Sequence, residues 1–120
     1  MKLFAGLRKI REYQRGQLTF LKSLVEFDII VEIGYAEECG DPITLKRLLL
    51  LNICSRTTMR RKLAQLIEQQ VVHRHKNSRD RRASRLVVSI GTFRLLTRYG
   101  QMLRGIARSH FKRGSGIPVG

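Results

Sequence analysis

The C-terminal two thirds of this sequence contain very few acidic residues. Residues 42–120 hold eighteen lysines and arginines but only two acids, Glu68 and Asp80, whereas residues 1–41 hold six basic and seven acidic side chains. A basic surface attracts polyanions, so the net charge of +15 makes nucleic acid or an anionic membrane the leading class of partner. The uneven distribution predicts one basic working face on a single domain.

The sequence also lacks a long hydrophobic run. No apolar stretch reaches the roughly 18 residues of a membrane span. Charges interrupt the N-terminal segment MKLFAGLRKIREYQRG, unlike the apolar core of a signal peptide. Cys39 and Cys54 form no CxxC motif, so we predict free thiols in a reducing cytoplasm. These absences predict a cytoplasmic protein that does not bind a membrane.

Motifs of catalysis and of cofactor binding are missing as well. The sequence has no nucleophile elbow, no glycine-rich phosphate loop and no paired carboxylates in a catalytic context. His73 and His75 would share one face of a strand. A metal site would need a third ligand, which His110, Cys39 or Cys54 could supply only through tertiary packing. We therefore predict neither an enzyme nor a metal or cofactor site.

Hydrophobic spacing predicts a mainly α-helical chain with a small β-hairpin. The predicted helices cover residues 2–13, about 17 residues within 19–36, 45–51, 55–69 and 90–111, with a break at 14–17 and a turn at 52–54. Thr44, Ser55 and Ser89 are the expected helix caps, and Ile43-Thr44 is also a candidate edge strand. The helix within 19–36 is apolar on more than one face. We expect its acids, Glu26, Asp28 and Glu32, on its remaining face, away from any DNA.

The helix over 55–69 has one apolar stripe and an opposite face suited to nucleic acid. Met59, Leu63 and Leu66 recur at helical spacing and are expected to be buried together with Ile67. The other side carries arginines and hydroxyls, which bind phosphates and guanine edges or contact thymine methyls. We predict that this DNA-contacting set consists of Ser55, Arg56, Thr57, Thr58, Arg60, Arg61 and Gln65.

A basic hairpin follows this helix. Strands are expected over 71–76 and 85–88, and the intervening wing, 77–84, reads NSRDRRAS. The tip residues Arg79, Arg81 and Arg82 are predicted to reach a minor groove, while Asp80 stiffens the loop by pairing with a neighbouring arginine. The predicted phosphate contacts are Lys46, Arg47 and Lys76. A solvated helix face and a flexible loop without contacts remain the alternative interpretations.

The segment 43–95 resembles the MarR family of bacterial winged helix-turn-helix regulators. The resemblance rests on ITLKRLLLLNICSRTTM, on Val71-Val72 followed by Arg74, on the Asp80-Arg81-Arg82 motif and on Val88-Ser89 before the last helix. It implies a homodimer that binds pseudo-palindromic operators. The recognition helices would enter successive major grooves, and the wing arginines would reach minor grooves.

The sequence departs from that family's pattern at several positions. Gln70 and Thr92 replace glycines that are usual in the family, Leu49 stands at a commonly small position, and Asn52-Ile53 alters the turn. The chain is also short, with one C-terminal helix where two are usual. Family members often bind small phenolic effectors, but nothing in this sequence identifies such a ligand.

These observations together predict one winged-helix domain over 1–113 and a disordered tail over 114–120. Within this domain, residues 42–89 would form a DNA-binding lobe with a three-helix core and a two- to three-stranded hairpin. Residues 2–36 and 90–111 are more apolar than one small domain needs, so we expect them to form a homodimer. The predicted function is sequence-specific binding of double-stranded DNA by a transcriptional regulator. An RNA- or ribosome-associated winged helix and a protein-interaction module remain the alternatives.

Overall fold

The computed structural model describes residues 2–76 and 84–112, with side chains up to residue 109. Its helices are α1 (Leu3–Gln17), α2 (Leu24–Glu38), α3 (Leu45–Leu50), α4 (Arg56–Glu68) and α5 (Ile90–Lys112), and its strands are β1 (Val72–His75) and β2 (Arg85–Val88). The two strands pair antiparallel, with Val72 opposite Val88 and His75 opposite Arg85. The predicted class, mainly helical with a small hairpin, is confirmed.

The described residues form two compact units. The first, the terminal-helix unit, combines residues up to Thr19 with the chain from Arg94 onwards. Within it the hydroxyl of Tyr13 donates a hydrogen bond to the carbonyl oxygen of Leu95 at 2.8 Å, and Gln14 Nε2 donates to the Tyr99 hydroxyl at 3.4 Å. The buried Ile10 lies on the same side of α1, so α1 packs against α5 through this side.

The second unit, Phe20–Phe93, is the winged lobe. Its core is built from buried side chains of α2, α3, α4, the hairpin and the segment before α3, namely Ile29, Ile30, Ile33, Ile43, Leu48, Met59, Leu63, Leu66, Val72 and Leu86. A bridge between Thr44 and Arg85 adds a short third segment to the hairpin, since Leu86 N donates to Ile43 O at 2.9 Å. Helix α2 therefore packs within the lobe, and a role of residues 2–36 in a homodimer stays a prediction.

The three predicted caps occupy their expected positions. The hydroxyl oxygen of Thr44 accepts from the backbone N–H of Arg47 at 3.2 Å, that of Ser55 from Thr58 at 3.1 Å, and that of Ser89 from Thr92 at 3.2 Å. Each bond satisfies one of the N–H groups that a helix leaves without an intrahelical partner. Because this chemistry is local, the sequence predicts the starts of α3, α4 and α5 correctly.

Two predicted boundaries were wrong. The break expected at 14–17 does not occur, because α1 continues to Gln17 and the backbone N–H of Leu18 donates to Gln14 O at 3.0 Å. Gly16 lies on the exposed surface of that last turn. The second helix begins only at Leu24, because Ser23 is extended and its side chain accepts a hydrogen bond from the backbone N–H of Val25.

The departure at Gln70 has a structural consequence. Gln70 has a φ of 61°, the left-handed region that favours glycine. It follows the cap of α4, where its N–H donates to Ile67 O and the N–H of Val71 donates to Leu66 O. This is the Schellman arrangement, in which that position is usually glycine. The resemblance therefore identified a real backbone requirement, which this chain meets with a strained glutamine.

None of the helices in the described residues is both long enough and apolar enough to cross a bilayer.

Candidate nucleic-acid interface

Helix α4 presents its polar face because its other face is anchored in the lobe. Met59, Leu63 and Leu66 are at most 2% exposed, which confirms most of the predicted stripe, and Ile67 is half-buried. Burial of three large apolar side chains provides roughly 1.5–3 kcal/mol each. This packing fixes the rotation of the helix about its axis, so the polar side chains emerge on a defined side.

The exposed face of α4 is basic over its first two turns. Arg56, Thr57, Arg60, Arg61 and Gln65 are all exposed. The first acid of the helix, Glu68, is its last residue. The N-terminus of an α-helix also carries a partial positive charge and free N–H groups. Arginines and the helix dipole therefore place positive potential at the same end of α4.

Two members of the predicted DNA-contacting set form the cap itself. The Ser55 hydroxyl donates to Thr58 Oγ1 at 2.9 Å while its oxygen accepts from the Thr58 N–H. Thr58 is half-buried as a result, whereas Thr57 is exposed. Ser55 and Thr58 thus support the start of the helix, and the other five residues of the set form its available surface.

The expectation that Glu26 lies on a free face of α2 was wrong. Glu26 is buried and accepts hydrogen bonds from Lys62 Nζ on α4 and from the Ser23 hydroxyl. Its side chain is 6% exposed and that of Lys62 is 15% exposed. Burial raises the pKa of Glu26, but the hydrogen bonds from Lys62 and Ser23 outweigh it, so the net pKa is lowered. This pair ties α4 to α2, and because its members lie 36 positions apart, no local sequence pattern indicated it.

Asp41 links two further arginines of the lobe. Its carboxylate oxygens lie 3.1 Å from Arg47 Nη1 and 3.1 Å from Arg85 Nη1. Arg85 also donates to the carbonyl oxygen of Pro42 at 2.7 Å. The predicted phosphate contact Arg47 is therefore already paired, whereas Lys46 is exposed. Asp41 is not among the predicted site residues, so sequence reasoning missed its role.

The described part of the hairpin adds two exposed cations, Arg74 in β1 and Lys76 directly after it. His73 and His75 of β1 are exposed as well. The predicted wing-tip residues Arg79, Asp80, Arg81 and Arg82 lie outside the described residues. Within the described ranges, no group of three or more His, Cys, Asp or Glu side chains is arranged to hold a metal ion.

These elements define the class of the lobe. Helix α3, the turn at Asn52 and the capped helix α4 form a helix-turn-helix, and β1 and β2 follow it as a wing. Asn52 has a φ of 55°, a conformation that asparagine tolerates better than most residues. The fold is therefore a winged helix-turn-helix.

Solved structures place this fold among those of the MarR-family regulators. A mutant of E. coli MarR complexed with operator DNA has a TM-score of 0.56 at 18% identity, with 88% of this chain and 74% of that chain covered. A MepR mutant from an S. aureus clinical isolate has a TM-score of 0.66 at 11% identity, with 90% and 77% covered. The transcriptional regulator BldR from Sulfolobus solfataricus has a TM-score of 0.53 at 17% identity, with 91% and 76% covered.

The chain thus has a MarR-like winged-helix fold, as its sequence predicted. No protein-family model and no curated protein sequence matches it. At these identities the likeness concerns the fold.

Proposed function

We propose that this chain is a transcriptional regulator that binds double-stranded DNA sequence-specifically as a homodimer. In this proposal the recognition helix, 55–69, enters the major groove and the wing, 77–84, reaches the adjacent minor groove. The protein would act in the cytoplasm as a binding protein and not as an enzyme. The observation that carries the proposal is the exposed basic face of α4, presented by a helix-turn-helix whose opposite face is buried.

Groove dimensions support this role for α4. A helix of 13 residues is about 20 Å long, and the major groove, about 12 Å wide, admits an α-helix. Arg56, Arg60 and Arg61 project from the N-terminal half, which is the part of a recognition helix that reaches base edges in such motifs. Arginine makes bidentate hydrogen bonds to guanine, and the methyl of Thr57 suits thymine.

The remaining predicted contacts would hold the DNA backbone. Lys46 at the start of α3 and Lys76 after β1 are exposed and suit phosphates as compact cations. Arg47 would contact a phosphate in exchange for, or in addition to, its pair with Asp41. Arg79, Arg81 and Arg82 would occupy the minor groove, with Asp80 ordering the wing. The likeness to a MarR mutant solved with operator DNA favours this arrangement.

Selection of bound sequences from random duplex DNA tests the proposal. We expect an enriched motif with two related half-sites whose centres lie about 10 base pairs apart, because paired recognition helices meet successive major grooves. A variant with Arg56→Gln, Arg60→Gln and Arg61→Gln should enrich no motif.

Competition with RNA provides the control for this selection. Duplex DNA that carries the motif should displace bound probe better than structured RNA of equal length. No enriched motif, or stronger competition by the RNA, would overturn sequence-specific DNA binding. The RNA result would favour the RNA-associated winged helix instead.

Exposed apolar side chains of the terminal helices support the homodimer. Phe4 on α1 is 79% exposed, and Leu7 on α1 and Leu103 on α5 are also exposed. Burial of such surface is the main driving force of association. Sedimentation at micromolar concentration in moderate salt should give a dimer, and Phe4→Ser with Leu7→Ser should give a monomer.

A matched substitution in the lobe separates this interface from general loss of apolar surface. Leu24 is 80% exposed but lies at the start of α2, outside the terminal-helix unit. Leu24→Ser should leave the dimer intact. A wild-type monomer under the same conditions would overturn the homodimer.

A further inference from the structure

The positive charge of this protein is not concentrated in the winged lobe. Residues 2–19 and 94–112 contain ten lysines and arginines and a single acid, Glu12. Residues 20–93 contain thirteen basic and eight acidic residues. The basic excess is therefore nine in the terminal-helix unit and five in the lobe. The proposed contact of α4 with DNA does not account for the larger basic excess, that of the terminal-helix unit.

Four arginines of α5 share one side of that helix. Arg94, Arg98, Arg104 and Arg108 are all exposed, and at 100° per residue they fall within a sector of about 120°. The half-buried Tyr99, Met102 and Ile106 lie on the opposite side, and the hydrogen bond between Tyr99 and Gln14 places α1 there too. We call the four residues the arginine face of α5. It spans about 21 Å along the helix.

In the residues that the structure describes, the arginine face forms no ion pair. Helix α5 contains no Asp or Glu, and no ion pair within 4.0 Å involves these four arginines in the described part of the chain. By contrast, Lys62, Arg47 and Arg85 of the lobe are all paired with carboxylates. The lobe therefore neutralises part of its charge internally, whereas the four arginines of α5 have no carboxylate partner among the described residues.

The spacing of the arginines is unfavourable for the isolated helix. Arg94 and Arg98 are four residues apart, as are Arg104 and Arg108, and like charges at this spacing destabilise a helix. No compensating acid lies on the same helix. An anionic ligand with regularly repeated charges would neutralise these arginines and so remove their mutual repulsion when it binds.

The chemistry of the face favours the backbone of duplex DNA over a lipid surface. Arginine binds phosphate through a planar fork, and a duplex presents one charge per about 1.7 Å of its axis, so several phosphates lie alongside a 21 Å row. Between the arginines the face carries Thr97, Gln101 and Gly105, none of which is a large apolar residue. A membrane-bound helix needs apolar side chains that enter the lipid.

We propose that the arginine face of α5 is a second phosphate-binding surface, which holds the sugar–phosphate backbone of duplex DNA without reading its sequence. This surface goes beyond the proposed function, because it needs neither the recognition helix nor an operator. It would increase affinity for any duplex and so hold the protein on DNA outside its target sites.

Salt-dependent binding to a duplex of mixed sequence tests this surface. One variant carries Arg94→Gln, Arg98→Gln, Arg104→Gln and Arg108→Gln. The control removes the same number of cations from α1 and its N-cap residue through Lys2→Gln, Lys9→Gln, Arg11→Gln and Arg15→Gln. Affinity is measured by fluorescence anisotropy between about 50 and 200 mM salt, over which phosphate contacts change affinity strongly.

We expect the α5 variant to bind at least tenfold more weakly at the lower salt concentration. Its slope of log affinity against log salt should become shallower by about 3.6, since each of the four lost phosphate contacts contributes about 0.9. The α1 control should change the slope by less than about 1. Replacement of the same four arginines by lysine should retain most of the slope, which excludes misfolding as the cause. Equal losses in the α5 and α1 variants, or no loss in either, would overturn the proposal.

The recognition-helix variant separates this test from the proposed function. Arg56→Gln with Arg60→Gln and Arg61→Gln should abolish sequence preference but keep salt-dependent binding through α5. The α5 variant should keep the preference at lower affinity. If the wild-type protein showed no sequence preference, the proposed sequence-specific regulator would be refuted. The comparison of the α5 and α1 variants would still test the arginine face. Stronger binding of the arginine face to phosphatidylserine vesicles or to structured RNA than to the duplex would overturn DNA as its partner.

Discussion

Glu26→Gln should lower the free energy of unfolding by about 3–5 kcal/mol, the usual cost of breaking a buried ion pair. The substitution leaves the Lys62 ammonium, 15% exposed, without its carboxylate partner. It also weakens the hydrogen bond from the Ser23 hydroxyl. Chemical denaturation at neutral pH measures the loss.

An ion pair on the surface of α1 gives the matched control. Arg8 and Glu12 lie 3.6 Å apart, with side chains 84% and 66% exposed. Glu12→Gln should cost no more than about 0.5 kcal/mol, because solvent screens exposed pairs. The double variant Glu26→Gln with Lys62→Met should recover part of the loss, since it leaves no buried charge unpaired. Equal costs for Glu26→Gln and Glu12→Gln would refute the stabilising role of the buried pair.

The same pair makes stability depend on pH in a defined direction. The pKa of Glu26 is lower in the folded protein than in the unfolded chain. Its contribution is therefore fully present above the unfolded value, about 4.3, and is lost as the pH falls through the lower folded value. Wild type should lose stability over this acidic range more steeply than Glu26→Gln. Parallel curves would contradict the assignment.

Arg61→Ala should weaken binding to the selected duplex by about 1–3 kcal/mol and relax the sequence preference at one position of each half-site. Arg61 is exposed on α4, and a guanidinium that reads guanine discriminates among bases. Binding-site selection repeated with the variant measures both effects.

Arg11→Ala in α1 is the control for this prediction. It removes one exposed arginine from a helix outside the winged lobe. Its effect should be small and independent of sequence. Loss of affinity without any change in preference would make Arg61 a phosphate contact and not a base reader.

Much of the lobe could be predicted because its signals are local. Thr44, Ser55 and Ser89 cap helices through N–H groups three residues away, so a short window of sequence contains both partners. The stripe of Met59, Leu63 and Leu66 follows from helix periodicity alone. Even the strained backbone at Gln70 was indicated by the missing glycine.

The ends of α1 and α2 were harder to predict because several residues compete there. Gly16 suggested a break, but helix formation continued past it to Gln17. The cap residue Ser23 sets the start of α2 at Leu24. Phe20, which precedes the cap, is apolar and buried, although it is not part of the helix. Local helix propensity is a weak guide to such boundaries, because tertiary packing can bury an apolar residue whether its backbone is helical or not.

By itself, the sequence determined the order of the elements, the capped start of α4 and the basic character of that helix's exposed face. Only the tertiary structure decided how each charge is used. It buried Glu26 against Lys62 across 36 residues and joined Asp41 to Arg85 across 44, whereas the arginine face of α5 forms no ion pair in the described part of the chain. Caps and stripes depend on neighbours three or four positions away, whereas charge pairing depends on which distant side chains the fold brings within a few ångströms.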